Sequence, residues 1–180
     1  MSSAVLVPLY AVDGRYHVLF TKRSEHVEYH KAQISFPGGA EDPGDADLLF
    51  TALRETHEEI GVHPDHIEVI GQLDDFVTIT NFRVRPYVGL ITRSPYEFAF
   101  DEREVAELLS VPVAHLSDPA NCIDEVRHLE GRGEVLMRSY AWGEHVIWGA
   151  TAMMLRHFLE LVEREGSIDE LIRQIEEGSA

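Results

Sequence analysis

Apolar positions cluster early in the chain. Residues 4–10 and 16–21 are rich in Val, Leu, Tyr and Phe and flank Asp13-Gly14, which predicts a β-hairpin. Residues 22–34 are polar and irregular and read as loop. Residues 35–39 predict a short strand running into a glycine turn, and Pro43-Gly44 continues as loop. A helix follows, capped by Asp45 or Asp47, with Leu49, Ala52, Leu53 and Ile60 as its apolar stripe. Gly61 stands where a helix-ending glycine belongs, and Pro64 bars continuation. Residues 67–73 and 83–92 read as strands. Residues 96–103 form an acidic, aromatic loop, and 104–109 a short helix or the approach to residues 110–113. Residues 135–142 and 145–147 suggest a late hairpin around Gly143-Glu144. Residues 148–164 form a long amphipathic helix and 168–177 a second, shorter one. Strands and helices alternate without a βαβ rhythm, so a mixed sheet covered by helices is expected, in one domain over 1–180.

The polar face of the first helix carries the chemistry. At about 100° per residue, Glu59 falls roughly 40° from Glu55, and Glu58 roughly 60° to its other side. Like charges at these spacings weaken a helix. A cation on that face would offset the repulsion, and a cluster of carboxylate oxygens suits Mg²⁺ or Mn²⁺. Glutamate pairs on helices are commonly just solvated surface. The flanking Gly38-Gly39 changes that balance, because a backbone turn without side chains beside a metal is how proteins handle phosphoryl groups.

Charge narrows the partners. The formal net charge of −17 argues against nucleic acid, whose binding needs lysine and arginine. An anionic small molecule entering this field needs help from metal ions and a few placed Arg or Lys residues. No apolar run approaches the roughly 20 residues of a membrane helix. The N-terminus lacks the basic region of a signal peptide, and the single cysteine, Cys122, fits a reducing cytoplasm. Asp124 and Glu125 beside Cys122 raise its pKa and disfavour it as a nucleophile. No His-Glu-x-x-His is present, which disfavours zinc.

The stretch from Gly39 to Val62 resembles the Nudix box, G-x5-E-x7-R-E-U-x-E-E-x-G-U, where U is a bulky aliphatic residue. Arg54-Glu55, Glu58-Glu59, Gly61 and Val62 match. Thr56 stands in place of an aliphatic, and the gap from Gly39 to Arg54 is one residue longer. Asp45 and Ala46 therefore straddle the place of the upstream Glu, and Asp45 or Asp47 is left to orient Arg54. A second motif precedes the box. Thr21, Arg23, Ser24, His30, Gln33, Phe36, Pro37, Gly38 and Gly39 match the pattern L-L-T-x-R-S-x-x-L-R-x-H-x-G-Q-V-x-F-P-G-G of coenzyme A pyrophosphatases, while Glu28 replaces an arginine, Val27 a leucine and Ala32 a glycine.

This resemblance implies an α/β/α sandwich with a mixed β-sheet, and metal-dependent hydrolysis of a nucleoside diphosphate linked to another group. For coenzyme A the products are 3′,5′-ADP and 4′-phosphopantetheine. The alternatives are another diphosphate such as ADP-ribose, which Glu28 favours, and a catalytically inactive nucleotide-binding domain. The implied metal ligands are Glu55 and Glu59, with Glu58 direct or through water and the Gly39 carbonyl in support. Arg54 braces the carboxylates. The general base is a box glutamate such as Glu58 or an acid from the loop of Glu97, Asp101, Glu102 and Glu104. Glu104 ranks first because Val105-Ala106 would fix its direction. Arg23, Ser24, His30 and Gln33 are candidate substrate contacts. Trp142 or Trp148 offers a surface for adenine, although Trp148, opening an apolar helix, is expected in the core. Tyr96, Phe98 and Phe100 alternate as a half-buried strand or a lid. The helix over 148–164 packs either in the core or across a homodimer interface.

Overall fold

β1 (Ser2–Val12) is the spine of the molecule, because both of its faces are buried. In the computed structural model, which describes residues 2–24, 33–77, 82–129 and 133–178, Ala4, Leu6 and Tyr10 point to one side and Val7 and Leu9 to the other. A strand buried on both faces needs a layer on each, and helices provide them.

β1 pairs antiparallel with β2 (Arg15–Arg23) through the expected hairpin, and parallel with β7 (Arg83–Ile91), Val7 lying opposite Val88. β3 (Ile34–Ser35) and β8 (Val105–Pro112) join β2. β4 (Gly38–Ala40) joins β1, and β5 (Ile67–Gln72) and β6 (Phe76–Val77) join β7. The result is an eight-stranded mixed sheet. α1 (Leu48–Ile60) covers one face, placing Ala52 against Ala4, Leu6 and Tyr87. α3 (Gly149–Arg164) and α4 (Ile168–Gly178) cover the other, where Leu155, Phe158 and Ile172 meet Val7, Leu9, Val18 and Phe20. This is the expected α/β/α sandwich. A short α2 (Val113–Leu116) leads to a separate three-stranded sheet of β9 (Cys122–Leu129), β10 (Gly133–Trp142) and β11 (His145–Ile147). No helix among the described residues is long and apolar enough to cross a membrane.

Several expectations are corrected. Residues 105–112 form strand β8, so of the two readings of 104–109 the short helix is excluded, since pairing with β2 overrides the helical preference of Ala-Glu-Leu-Leu. β2 extends through Lys22 and Arg23, which the sequence placed in a loop. β9 was not anticipated at all. The buried residues of α1 are Thr51, Ala52, Thr56 and Ile60, while Leu49 and Leu53 are only partly covered. Thr56 takes the inward place of the usual aliphatic because its hydroxyl donates to the Ala52 carbonyl at 2.6 Å, so no polar group is left unsatisfied. Trp148 is 52 % exposed, capping α3 at its start instead of sitting in the core. Residues 96–100 have no strand partner. They form a loop in which Tyr96 and Phe98 pack on each other and Phe98 packs on Tyr10.

Candidate active site

α1 begins at Asp47, whose carboxylate accepts from the Phe50 amide at 2.8 Å, and ends at Gly61 in the left-handed region, its N–H returned to the His57 carbonyl. Of the two candidate caps, Asp47 takes that task and Asp45 takes another. Asp45 meets Arg54 in a bidentate pair, Nε–Oδ1 at 2.9 Å and Nη2–Oδ2 at 3.0 Å, and also accepts from the Thr51 hydroxyl at 2.8 Å. Asp45 therefore fills the bracing role that the longer gap left open. The Arg54 guanidinium holds its carboxyl well below the usual carboxylate range, and the pair raises Arg54 in return.

Held at one end, Arg54 turns Nη1 to the carboxylate face. That nitrogen donates to Glu55 Oε1 at 2.9 Å and Glu58 Oε2 at 3.0 Å. Arg54 thus partly neutralises the acidic face that α1 presents. Glu59 lies deeper, its side chain only 11 % exposed, accepting from the Gly38 amide at 3.3 Å and 4.0 Å from Arg23 Nη1. Burial pushes its pKa up to about 7, and the neighbouring Glu55 and Glu104 push the same way against the relief from Gly38 and Arg23. Burial also raises Glu55. Two half-buried carboxylates with raised pKa values, side by side, suit a cation between them.

The glycine turn makes this approach possible. Gly38 has φ +152°, and a Cβ there would lie 2.3 Å from the Ala4 carbonyl oxygen. At Gly39 a Cβ would come within 2.5 Å of the Glu55 carboxyl group. The missing side chains let backbone and carboxylates share one surface, which agrees with Gly39 as a carbonyl ligand. The donor set is all oxygen and suits a hard divalent ion. Among the described residues no three acidic or imidazole groups already stand together as a ligand set, and Arg54 engages Glu55 and Glu58.

The remaining candidates fall as follows. Arg23, at the end of β2, reaches Glu59, and its Nε is buried with no acceptor among the described residues. Glu104 is exposed at the head of β8, near enough to Glu59 to raise its pKa. Asp101, by contrast, is committed to Arg103, with Oδ1 and Oδ2 each 3.0 Å from Nε. Ser24, expected among the substrate contacts, has structural bonds of its own. It is buried, its hydroxyl donates to the Arg103 carbonyl at 2.5 Å and its amide to the Glu104 carbonyl at 2.9 Å, so it fastens the Glu104 loop to β2. Gln33 is half-buried, its side-chain nitrogen beside the Gly149 end of α3 and its backbone carbonyl accepting from the Arg23 amide. His30 and Glu28 lie outside the described residues. Thr51, which shares Asp45 with Arg54, was missed; its place one helical turn after Asp47, beside the acidic loop, was the available signal.

Other features do not join this site. A cavity of about 580 Å³ lies between α2, β10, α3 and α4, lined by Cys122, Arg138, Tyr140 and Glu160 among others and by none of the carboxylates above. Burial pushes the Cys122 thiol up, with a smaller push from Asp124, in line with its dismissal as a nucleophile. α3 buries Thr151, Ala152, Met154, Leu155, Phe158, Leu159 and Val162 in the core, the first of the two placements expected for it.

Residues 2–129 match the NUDIX domain family model. A Nudix hydrolase, NudL, of Enterobacter sp. (strain 638) is 36 % identical over 155 residues, spanning 86 % of this chain and 79 % of its own length. The NudL of Yersinia enterocolitica is 36 % identical over 163 residues, 89 % of this chain and 80 % of its own. Among solved structures, a MutT/nudix family protein from Enterococcus faecalis superposes with a TM-score of 0.61 at 18 % identity, covering 97 % of this chain and 66 % of that one. An Ap4A hydrolase from C. elegans, in a binary complex, superposes at 0.53 with 18 % identity, covering 62 % and 80 %.

Proposed function

The chain belongs to the Nudix family, and from that premise we propose that it is a metal-dependent diphosphatase. Its substrate is coenzyme A or a derivative, split at the pyrophosphate into 3′,5′-ADP and 4′-phosphopantetheine or its acyl form. The observation that carries this reading is the meeting of two motifs. Arg23, from the segment resembling coenzyme A pyrophosphatases, stands 4.0 Å from Glu59 of the box, with a buried Nε that lacks an acceptor among the described residues. A guanidinium with a donor to spare beside a cluster of carboxylates suits a phosphate oxygen.

Mg²⁺ or Mn²⁺ would be held by Glu55 and Glu59, with Glu58 and the Gly39 carbonyl in support. When bound it would neutralise the pyrophosphate, orient the attacking water and lower its pKa. The other parts belong to the chain. Arg54, fixed by Asp45, is a positioning residue that sets the direction of Glu55 and Glu58. Arg23 holds an anionic oxygen of the substrate. Glu104, whose loop Ser24 ties to β2, takes the proton from the water, with Glu58 the second candidate. The water oxygen bonds to one phosphorus, the bond from that phosphorus to the bridging oxygen breaks, and the other half leaves as its phosphate monoester.

The test is product analysis after incubation with coenzyme A, with and without Mg²⁺ or Mn²⁺. Metal-dependent appearance of 3′,5′-ADP is the expected result. Faster turnover of ADP-ribose or a dinucleoside polyphosphate would reassign the substrate, and ligand binding without turnover of any diphosphate would reduce the chain to a binding domain.

A further inference from the structure

β9 is an edge strand with an unusual surface. Ile123, Asp124, Glu125, Val126, Arg127 and His128 are all exposed, so this stretch has water on both faces. Its outer edge has no partner strand among the described residues, since the small sheet runs β11-β10-β9. A long strand, open on both faces and along one edge, offers a row of unpaired backbone groups that proteins normally cover or blunt. β11 pairs only with residues 140–142 of β10, so residues 123–129 with 133–139 stand as a two-stranded ribbon, which is marginal without a third neighbour. Val126 is 65 % exposed and sits opposite Leu136, itself 49 % exposed.

The charge order on this edge is self-complementary. In an antiparallel pair made by two copies of one strand around a two-fold axis at Val126, residue 126 faces its own mate, 125 faces 127 and 124 faces 128. Glu125 then lies opposite the second copy's Arg127, and Asp124 opposite the second copy's His128. Within one chain Arg127 already donates to Glu125 at 2.9 Å, so doubling the strand makes a ring of alternating charges in which each carboxylate meets two guanidinium groups. Opposite charges placed across a strand pair stabilise it. In a chain of net charge −17, self-association must avoid the prevailing repulsion, and here Arg127 offsets Glu125 while Arg138 of β10 offsets Asp124.

We propose that β9 is a homodimer interface, two copies joining their small sheets into one six-stranded sheet by antiparallel β9–β9 pairing centred on Val126. A single strand pair buries less than the roughly 1,200 Å² of a standard interface, so the dimer is a weak, reversible one. The experiment is sedimentation velocity on the full chain from about 1 to about 200 µM, which spans weak, reversible association. Native protein is expected to move from monomer to dimer across it. Arg127→Glu sets four carboxylates together and is expected to weaken association at least tenfold. Glu125→Arg combined with Arg127→Glu restores the alternation and is expected to restore the dimer. Thermal melts confirm that each variant is folded. For the register, Val126→Cys in a Cys122→Ser background is expected to cross-link to itself under mild oxidation, because residues opposite each other lie within disulfide reach. A native chain that stays monomeric at the highest concentration, a dimer indifferent to Arg127→Glu, or failure of the cysteine pair to form in a dimer would each overturn the proposal.

Discussion

Glu59→Gln is expected to make the metal-free protein more stable while destroying its proposed activity. Glu59 is nearly buried, with one amide donor at 3.3 Å and a guanidinium no closer than 4.0 Å, and its pKa stands near 7 against 4.5 for the free side chain. Between those values the unfolded chain releases a proton that the folded chain keeps, so stability falls as pH rises through the window. At about 1.4 kcal/mol per pKa unit, the ionised carboxylate costs the fold about 3 kcal/mol by pH 8 and only about 1 kcal/mol at pH 5.5. Glutamine keeps an oxygen for the Gly38 amide and carries no charge at either pH. The assay is urea unfolding in EDTA, followed by the fluorescence of Trp142 and Trp148. With a slope of about 2 kcal/mol/M, the variant's midpoint should lie about 1.5 M above native at pH 8 and about 0.5 M above at pH 5.5. Added Mg²⁺ should close the gap at pH 8 by stabilising only the native protein. Equal midpoints at pH 8, or a less stable variant, would refute the account of Glu59 as a strained carboxylate kept for its ligand role.

Three further outcomes follow from the same geometry. Asp45→Asn removes the charge that fixes Arg54, and should lower metal affinity or kcat by about 10- to 100-fold in a titration with Mn²⁺, as loss of a supporting partner does. Asp47→Ala removes only the helix cap. It should cost about 1 kcal/mol in thermal unfolding and leave KM unchanged, which separates the two aspartates. Gly39→Ala drives a methyl group into the Glu55 carboxyl, 2.5 Å away, and should abolish Mn²⁺ binding in a protein whose circular dichroism is native.

Much of the site was legible in the sequence because its parts are local. Glu55, Glu58 and Glu59 share a helix face, and the period of the helix alone brings them together. What spacing left undecided was the partner of Arg54. The extra residue before the box moves the acid out of register, and only the turn in which the Asp45 amide donates to the Asp42 carbonyl returns its carboxylate to the guanidinium. The bonding of Ser24 was illegible for a related reason. Its hydroxyl is committed to a carbonyl 79 residues away in sequence, a bond that no local pattern foretells. Thr56 shows the limit of hydrophobic patterning in the other direction, since a threonine that bonds its own helix can fill an aliphatic's place.

The two strands misread in the second half of the chain failed for opposite reasons. β8 has buried residues on a two-residue period, Leu109 and Val111, yet local helix formers hid it until β2 supplied the pairing. β9 has no period to find. Alternation along a strand records burial of one face, and residues 123–128 bury neither. Its invisibility to pattern and its unpaired edge therefore share one cause. Among the described residues the stretch lacks a layer above, a layer below and a neighbour on its outer edge, β10 pairing only the inner one, and of these three only the outer-edge neighbour can be supplied by edge-to-edge pairing with a copy of itself. That is why the charge order Glu125-Val126-Arg127, unremarkable in one chain, gains meaning when the strand is doubled about Val126.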